Sequence, residues 1–156
     1  MTLSLKGRAL KYLAAREHSR LELTRKLAPH AESPEQVAQA LDELEARGFL
    51  SAERFAESMV HRKAARFGAA RIQAELSQHR LPADIAQAVV RTLRETELSR
   101  AHTLWAKRYG EVALDPRERA KQMRFLTARG FSSEVVSRVT RGEGGDVAEG
   151  GTPNDA

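Results

Sequence analysis

An all-α fold is what this sequence predicts. Three observations carry that expectation: apolar residues recur at three- and four-residue spacing almost throughout, capping and stop residues bracket each periodic run, and no segment alternates with strand period for long enough to compete. The apolar positions are mostly Leu, Ala, Val and Ile, while aromatic residues make up only 5% of the 156.

Taken in order, Leu5, Ala9, Tyr12 and Leu13 share one face of a first helix. Ser19 is placed to cap a second, on which Leu23 and Leu27 continue the spacing up to Pro29. Ser33-Pro34 is a cap followed by proline at the first helical position; Val37, Ala40, Leu41 and Leu44 then form a stripe that ends at Gly48. A fourth helix is expected from about Ala52 to Arg66, burying Phe55, Met59, Val60 and Phe67, with Gly68 as its stop. Ala69, Ile72 and Leu76 mark a fifth. Pro82 opens a sixth with Ile85, Val89 and Leu93 inward, and Leu98, Ala101, Trp105 and Tyr109 define a separate seventh, closed by Gly110. Asp115-Pro116 starts an eighth that runs to Gly130, and Ser132-Ser133 a short ninth with Val135, Val136 and Val139. Phe55, Ile72, Leu76, Ile85, Trp105, Leu126 and Phe131 are the expected core.

The order of helices repeats. Arg71 to Leu76 followed by Arg80-Leu81-Pro82-Ala83-Asp84-Ile85 parallels Lys121 to Leu126 followed by Gly130-Phe131-Ser132-Ser133-Glu134-Val135. A longer basic helix stands ahead of each pair, and the first part has the same long-short-long order. The reading is three tandem three-helix repeats over 1–141, at about 1–50, 51–95 and 96–141, forming an elongated, curved helical array. A single irregular bundle is the alternative that similar spacing allows. Residues 142–156 hold five glycines, a proline and four acids with almost nothing to bury, and read as a disordered acidic tail.

Composition narrows function. No apolar run is long enough to span a bilayer, the first ten residues lack a signal-peptide pattern, and cysteine is absent, so a cytoplasmic protein is expected. His18, His30, His61, His79 and His102 form no zinc-binding helical pair; Gly142-Glu143-Gly144-Gly145 lacks the Lys-Ser/Thr of a phosphate loop; Asp42, Glu43 and Glu45 are most simply a wet helix face. No nucleophile–base–acid set assembles, so no catalytic residue, metal or cofactor is expected, and the chain reads as a binding module.

Charge is the remaining signal. The net +5 hides an asymmetry: the part before Glu143 carries 26 basic and 17 acidic residues, a net +9. Arg62, Lys63, Arg66 and Arg71 cluster around the end of the fourth helix. Lys107 and Arg108 occupy the matching end of the seventh, with Lys121 and Arg124 on the eighth. Complementing helix C-terminal dipoles explains some of them. Their recurrence in two successive repeats points to a shared strip of guanidinium forks suited to phosphate or carboxylate.

Three segments, in order and at their spacing, are fairly specific: Ala46-Arg47-Gly48-Phe49-Leu50-Ser51-Ala52-Glu53-Arg54-Phe55-Ala56, Arg66-Phe67-Gly68-Ala69-Ala70-Arg71-Ile72-Gln73-Ala74-Glu75-Leu76 and Arg124-Phe125-Leu126-Thr127-Ala128-Arg129-Gly130-Phe131-Ser132. Through them the chain resembles the RecX family over about Leu5 to Arg141. The resemblance implies three tandem three-helix repeats and a non-enzymatic regulator; a monomer is expected. Such a regulator binds RecA and the RecA–DNA filament, with DNA as a secondary contact, and restrains recombination and the SOS response. The sequence departs from the family at Arg80-Leu81, where glycine usually precedes the apolar anchor, and in its acidic tail. A helix-turn-helix DNA binder also fits three-helix units with a glycine turn, but no helix carries Asn, Gln and Arg together on one face as a recognition helix would. A helical scaffold for an unrelated partner is the third reading.

Overall fold

Side-chain caps divide the chain into helices. Ser4 Oγ accepts from the Gly7 N–H and starts α1 (Leu5–Ala15); Ser19 starts α2 (Arg20–Leu27) with a full capping box, its Oγ accepting from Glu22 N while the Glu22 carboxylate accepts from Ser19 N. A 3-10 turn (Ala28–His30) follows at Pro29. Ser33, Asp115 and Ser132 cap α3 (Pro34–Ala46), α7 (Pro116–Ala128) and α8 (Ser133–Thr140), and between these lie α4 (Ala52–Lys63), α5 (Ala69–Ser77) and α6 (Ala83–Arg108). The structure, a computed structural model, describes residues 2–145. Among these residues there are eight α-helices, one 3-10 turn and no strand. The fold is all-α and built from tandem helical repeats.

Two expectations about the elements change. The sixth and seventh helices are one continuous helix of 26 residues, α6. Nothing between Leu93 and Leu98 interrupts it: Arg94-Glu95-Thr96-Glu97 contains no proline or glycine, and Thr96 turns its hydroxyl back onto the Thr92 and Leu93 carbonyls instead of capping a new start. The last helix of one repeat therefore runs into the first of the next. The fourth helix also ends earlier, at Lys63, because residues 64–66 tighten into a turn in which Arg66 N and Phe67 N both donate to the Lys63 carbonyl.

The chain folds as two compact units. The first comprises the described residues up to Met59 with Glu75–Gln87, the second Val60–Ala74 with the described residues from Ala88 on. In the first, α1, α2 and α3 pack on one another around Ala9, Leu23, Leu27, Val37, Leu41, Leu44 and Leu50. In the second, Ala101, Trp105, Leu126, Phe131, Val136 and Val139 form the core, and the Trp105 indole N–H donates to Gln122 Oε1 at 2.8 Å. Phe55, Ile72, Leu76, Trp105, Leu126 and Phe131 are buried as expected; Ile85, Val60 and Phe67 are only partly covered.

Stops are set by backbone conformation. Gly48, Gly110 and Gly130 take positive φ after α3, α6 and α7. In the second repeat Arg80 fills that role itself, at φ 51°, where a side chain is strained. Of the expected tail, Gly142–Gly145 is a turn. Glu143 N donates to the Arg138 carbonyl, and the Cβ positions of Gly144 and Gly145 face the His102 side chain. Residues 146–156, where the rest of the expected tail falls, lie outside the described residues.

Candidate functional site

The basic cluster is organised within the second unit by a meeting of two backbones. Gly68 N donates to the Arg129 carbonyl at 2.8 Å, and one terminal guanidinium nitrogen of Arg129 (Nη1) lies 3.4 Å from the Arg66 carbonyl. The segment between α4 and α5 is thereby laid against the turn between α7 and α8. Gly130, at φ 90°, leaves just enough room for Arg71, whose Cβ is the nearest atom to the place a Gly130 Cβ would occupy.

Around this seam the guanidinium groups sit on aromatic rings. The half-covered Phe67 ring has Arg71 Cζ 4.0 Å, Arg66 Cζ 5.2 Å and Lys63 Nζ 5.8 Å from its centroid. The Phe125 ring has Arg129 Cζ 4.7 Å and Arg108 Cζ 4.8 Å from its centroid, and meets Tyr109 edge-on at 5.7 Å. A cation on a ring face is attracted by the quadrupole, and for arginine the N–H edge of the planar fork stays available to an anion. Among the described residues, Arg66, Arg71, Arg108 and Arg129 form no ion pair with a carboxylate. Four forks are thus presented without internal counter-ions.

Arg100 holds the seam from beneath. It is half-buried, and its guanidinium donates to the Ala64 and Phe67 carbonyls at 2.7 Å each and to the Leu93 carbonyl at 2.8 Å, closing the end of α4. Burial pushes its pKa below the usual arginine value, and the neighbouring Glu97 opposes that shift. The buried Glu97 in turn accepts from Ser132 N at 2.8 Å, at the start of α8. Beside Arg66 a groove of 610 Å³ is lined by Val60, His61, Leu104 and Lys107.

Of the residues the sequence singled out, Lys63, Arg66, Arg71 and Arg108 are brought onto the two rings, and Lys107 shares the groove with Arg66. Arg62 is exposed on α4, and Lys121 and Arg124 are exposed on α7. Sequence reasoning passed over Arg129, Arg100, Phe67 and Phe125 as members. Their signal was present in Arg66-Phe67 and Phe125 with Arg129, basic and aromatic residues at adjacent or helical spacing.

A serine, a histidine and a glutamate do meet in the first unit. Ser19 Oγ lies 2.8 Å from His79 Nδ1, with Glu22 nearby, but Ser19 is fully buried and its oxygen is the cap of α2. Among the described residues no group of three or more His, Asp or Glu could hold a metal ion, and no helix is long and apolar enough to cross a membrane.

Family models decide the kinship. RecX, first three-helix domain, matches residues 6–44; RecX, second three-helix domain, matches 53–90; and RecX, third three-helix domain, matches 95–140. The chain belongs to the RecX family. A protein named "Regulatory protein RecX" from Leptothrix cholodnii is 59% identical over 139 residues, covering 89% of this chain and 88% of that one. Another of the same name, from Ralstonia pickettii, is 53% identical over 152 residues, covering 94% and 96%. The fold is shared with the crystal structure of RecX from Lactobacillus salivarius, at a TM-score of 0.75 over 92% of this chain and 95% of that chain, with 20% identity. The third RecX domain begins inside α6, which accounts for nine repeated helices in eight. The relatives' shared name makes this a member of a family of regulatory proteins.

Proposed function

We propose that this RecX-family chain is a non-enzymatic cytoplasmic regulator that binds RecA and its nucleoprotein filament and inhibits RecA activity, restraining recombination and the SOS response. Family membership supports the choice of target. The observation that carries the contact is the strip of arginines stacked on Phe67 and Phe125, whose forks have no carboxylate partner among the described residues. Such forks suit an acidic protein surface or the phosphates of filament-bound DNA, and pre-stacking lowers the entropy lost when they engage.

The test compares inhibition of RecA-dependent ATP hydrolysis on single-stranded DNA with affinity for the same DNA alone, across salt. Inhibition is expected at protein concentrations well below those that coat naked DNA, and it should weaken with salt less steeply than binding by phosphate neutralisation does. Inhibition that tracks naked-DNA affinity throughout would reduce the activity to competition for DNA and overturn filament recognition.

A further inference from the structure

The first unit carries a second cationic feature, away from the arginine strip in sequence and different in form. It is a cleft of 490 Å³ lined by Arg8, Lys11, Tyr12, Arg16, His18 and Lys26, together with Leu3 and Ala15. Arg8, Lys11, Tyr12 and Ala15 follow one face of α1 at three- and four-residue spacing, which is why they converge on one side. Among the described residues no carboxylate lines the cleft. Glu22 neutralises Arg16 through a 2.7 Å contact, whereas among the described residues the side chains of Arg8 and Lys11 have no hydrogen-bonding or ion-pair partner.

The floor is built rather than incidental. His18 is 2% exposed; its Nδ1 donates to the Arg16 carbonyl at 3.0 Å, so Nε2 carries the ring's acceptor. That acceptor takes an N–H from Lys26 Nζ at 2.9 Å and holds the ammonium 4.7 Å above the Tyr12 ring. A lysine on a merely solvated face has no such fixed position. Here a buried histidine and an aromatic face direct the ammonium into a recess that already holds three other cations. Burial lowers the His18 pKa, which favours the neutral ring whose acceptor Lys26 uses.

We propose that this cleft is a binding site for a phosphate-monoester dianion. The volume suits a nucleotide-sized ligand. Four cations and one neutralising carboxylate match a doubly charged tetrahedral group better than a single carboxylate, which would leave most of the charge unanswered. The chemistry is common to a free nucleoside monophosphate and to the phosphorylated end of a nucleic-acid strand. The site does not depend on the RecA reading.

The test uses the full chain with adenosine 5′-monophosphate, adenosine, a glutamate-rich peptide, and one short deoxyoligonucleotide prepared with a 5′-phosphate or a 5′-hydroxyl end. Binding is read from the NMR resonances of the His18 and Tyr12 rings. The monophosphate should shift both rings while adenosine leaves them in place. Lys11→Gln, at an exposed position whose side chain makes no hydrogen bond or ion pair among the described residues, should weaken that binding by about tenfold, the loss expected for one charge-assisted contact. Lys26→Gln should weaken it further, and Arg62→Glu with Arg66→Glu should leave it unchanged. Tighter binding of the phosphorylated strand than of either the hydroxyl strand or the monophosphate identifies the strand end as the source. Equal binding of strand and monophosphate identifies the free nucleotide. Equal responses to monophosphate and adenosine, full affinity in Lys11→Gln, or displacement of the monophosphate by the peptide at lower concentration would each overturn the proposal, the last in favour of an acidic protein segment.

Discussion

Gly68 and Gly130 meet backbone to backbone. A Cβ placed on Gly68 would stand 2.3 Å from the Gly130 carbonyl oxygen and 2.4 Å from the Phe131 nitrogen, so neither partner is a side chain that could swing aside. Gly68 has no positive φ; it is glycine because another backbone lies where its side chain would be. Gly68→Ala is therefore expected to cost about 3 kcal/mol or more, at the upper end for overpacking. Gly48→Ala, at φ 78° with nothing within 4 Å of the new methyl, should cost only about 1 kcal/mol of backbone strain. Urea denaturation of the two variants checks the contrast, and equal losses would mean that the seam yields.

Arg80 offers the opposite opportunity. It holds a left-handed conformation, φ 51°, at the turn before α6, the place that Gly130 takes before α8. Its side chain is exposed. Arg80→Gly should remove the strain and raise stability by about 1 kcal/mol, less whatever glycine adds to the entropy of the unfolded chain. A rise in thermal midpoint with unchanged helicity is the expected result.

These two positions also show what the sequence could and could not disclose. Caps are local, so Ser19, Ser33 and Asp115-Pro116 announce their helices to a reader of the chain alone. The absence of a stop is weaker evidence than its presence. Leu93, Glu97, Ala101 and Trp105 fall four apart on one buried face, but the acid at Glu97 interrupts the apolar stripe between Val89-Leu93 and Leu98-Ala101-Trp105 and suggests two helices, whereas the backbone simply continues. Gly68 looks like a helix stop because glycine often is one, and its role as a contact becomes visible only when Gly130 is beside it. The strip was half legible for the same reason. Charge clusters near Arg66 and Arg108 stand out in one dimension, but Arg129, more than sixty residues from Phe67 in sequence, joins them through a tertiary approach.

Two histidines in the first unit make stability depend on pH. His18 faces Arg16, Lys26, Glu22 and Tyr12; His79 faces Ser19, Glu22, Arg16, Glu75, Arg25 and the Phe55 ring, which lies 4.6 Å away. Burial lowers both pKa values below the ordinary 6.5. A group whose folded pKa is depressed contributes stability that is complete above its unfolded pKa and is lost as pH falls through the folded one. Stability should therefore decline below about pH 6.5. A second loss follows at lower pH. Burial alone would raise the Glu22 pKa, but the Arg16 guanidinium and Ser19 N–H hold it down at about 2 from the ordinary 4.5, so its contribution disappears between those values. Urea midpoints measured against pH should show both steps, and His18→Gln with His79→Gln should flatten the first while leaving the second.

The strip makes a prediction that separates its rings from its charges. Phe67→Leu keeps an apolar side chain at the seam but removes the face on which Arg71, Arg66 and Lys63 lie. Exposed cation–π contacts contribute about 0.5–1 kcal/mol each, so stability should fall modestly while net charge is unchanged. If the rings serve to hold the forks in place for RecA, Phe67→Leu should weaken inhibition of RecA-dependent ATP hydrolysis, and the paired change Arg71→Gln with Arg129→Gln should weaken it more. Both variants keep the Arg100 contacts that close the end of α4, so helicity should be retained. Affinity for naked single-stranded DNA supplies the internal control. Arg71→Gln with Arg129→Gln removes two charges and should lower that affinity, whereas Phe67→Leu, with every charge in place, should leave it nearly unaltered. Inhibition lost in Phe67→Leu at constant DNA affinity would place the rings in a protein-facing contact; full inhibition there would mean that the forks need no support from Phe67.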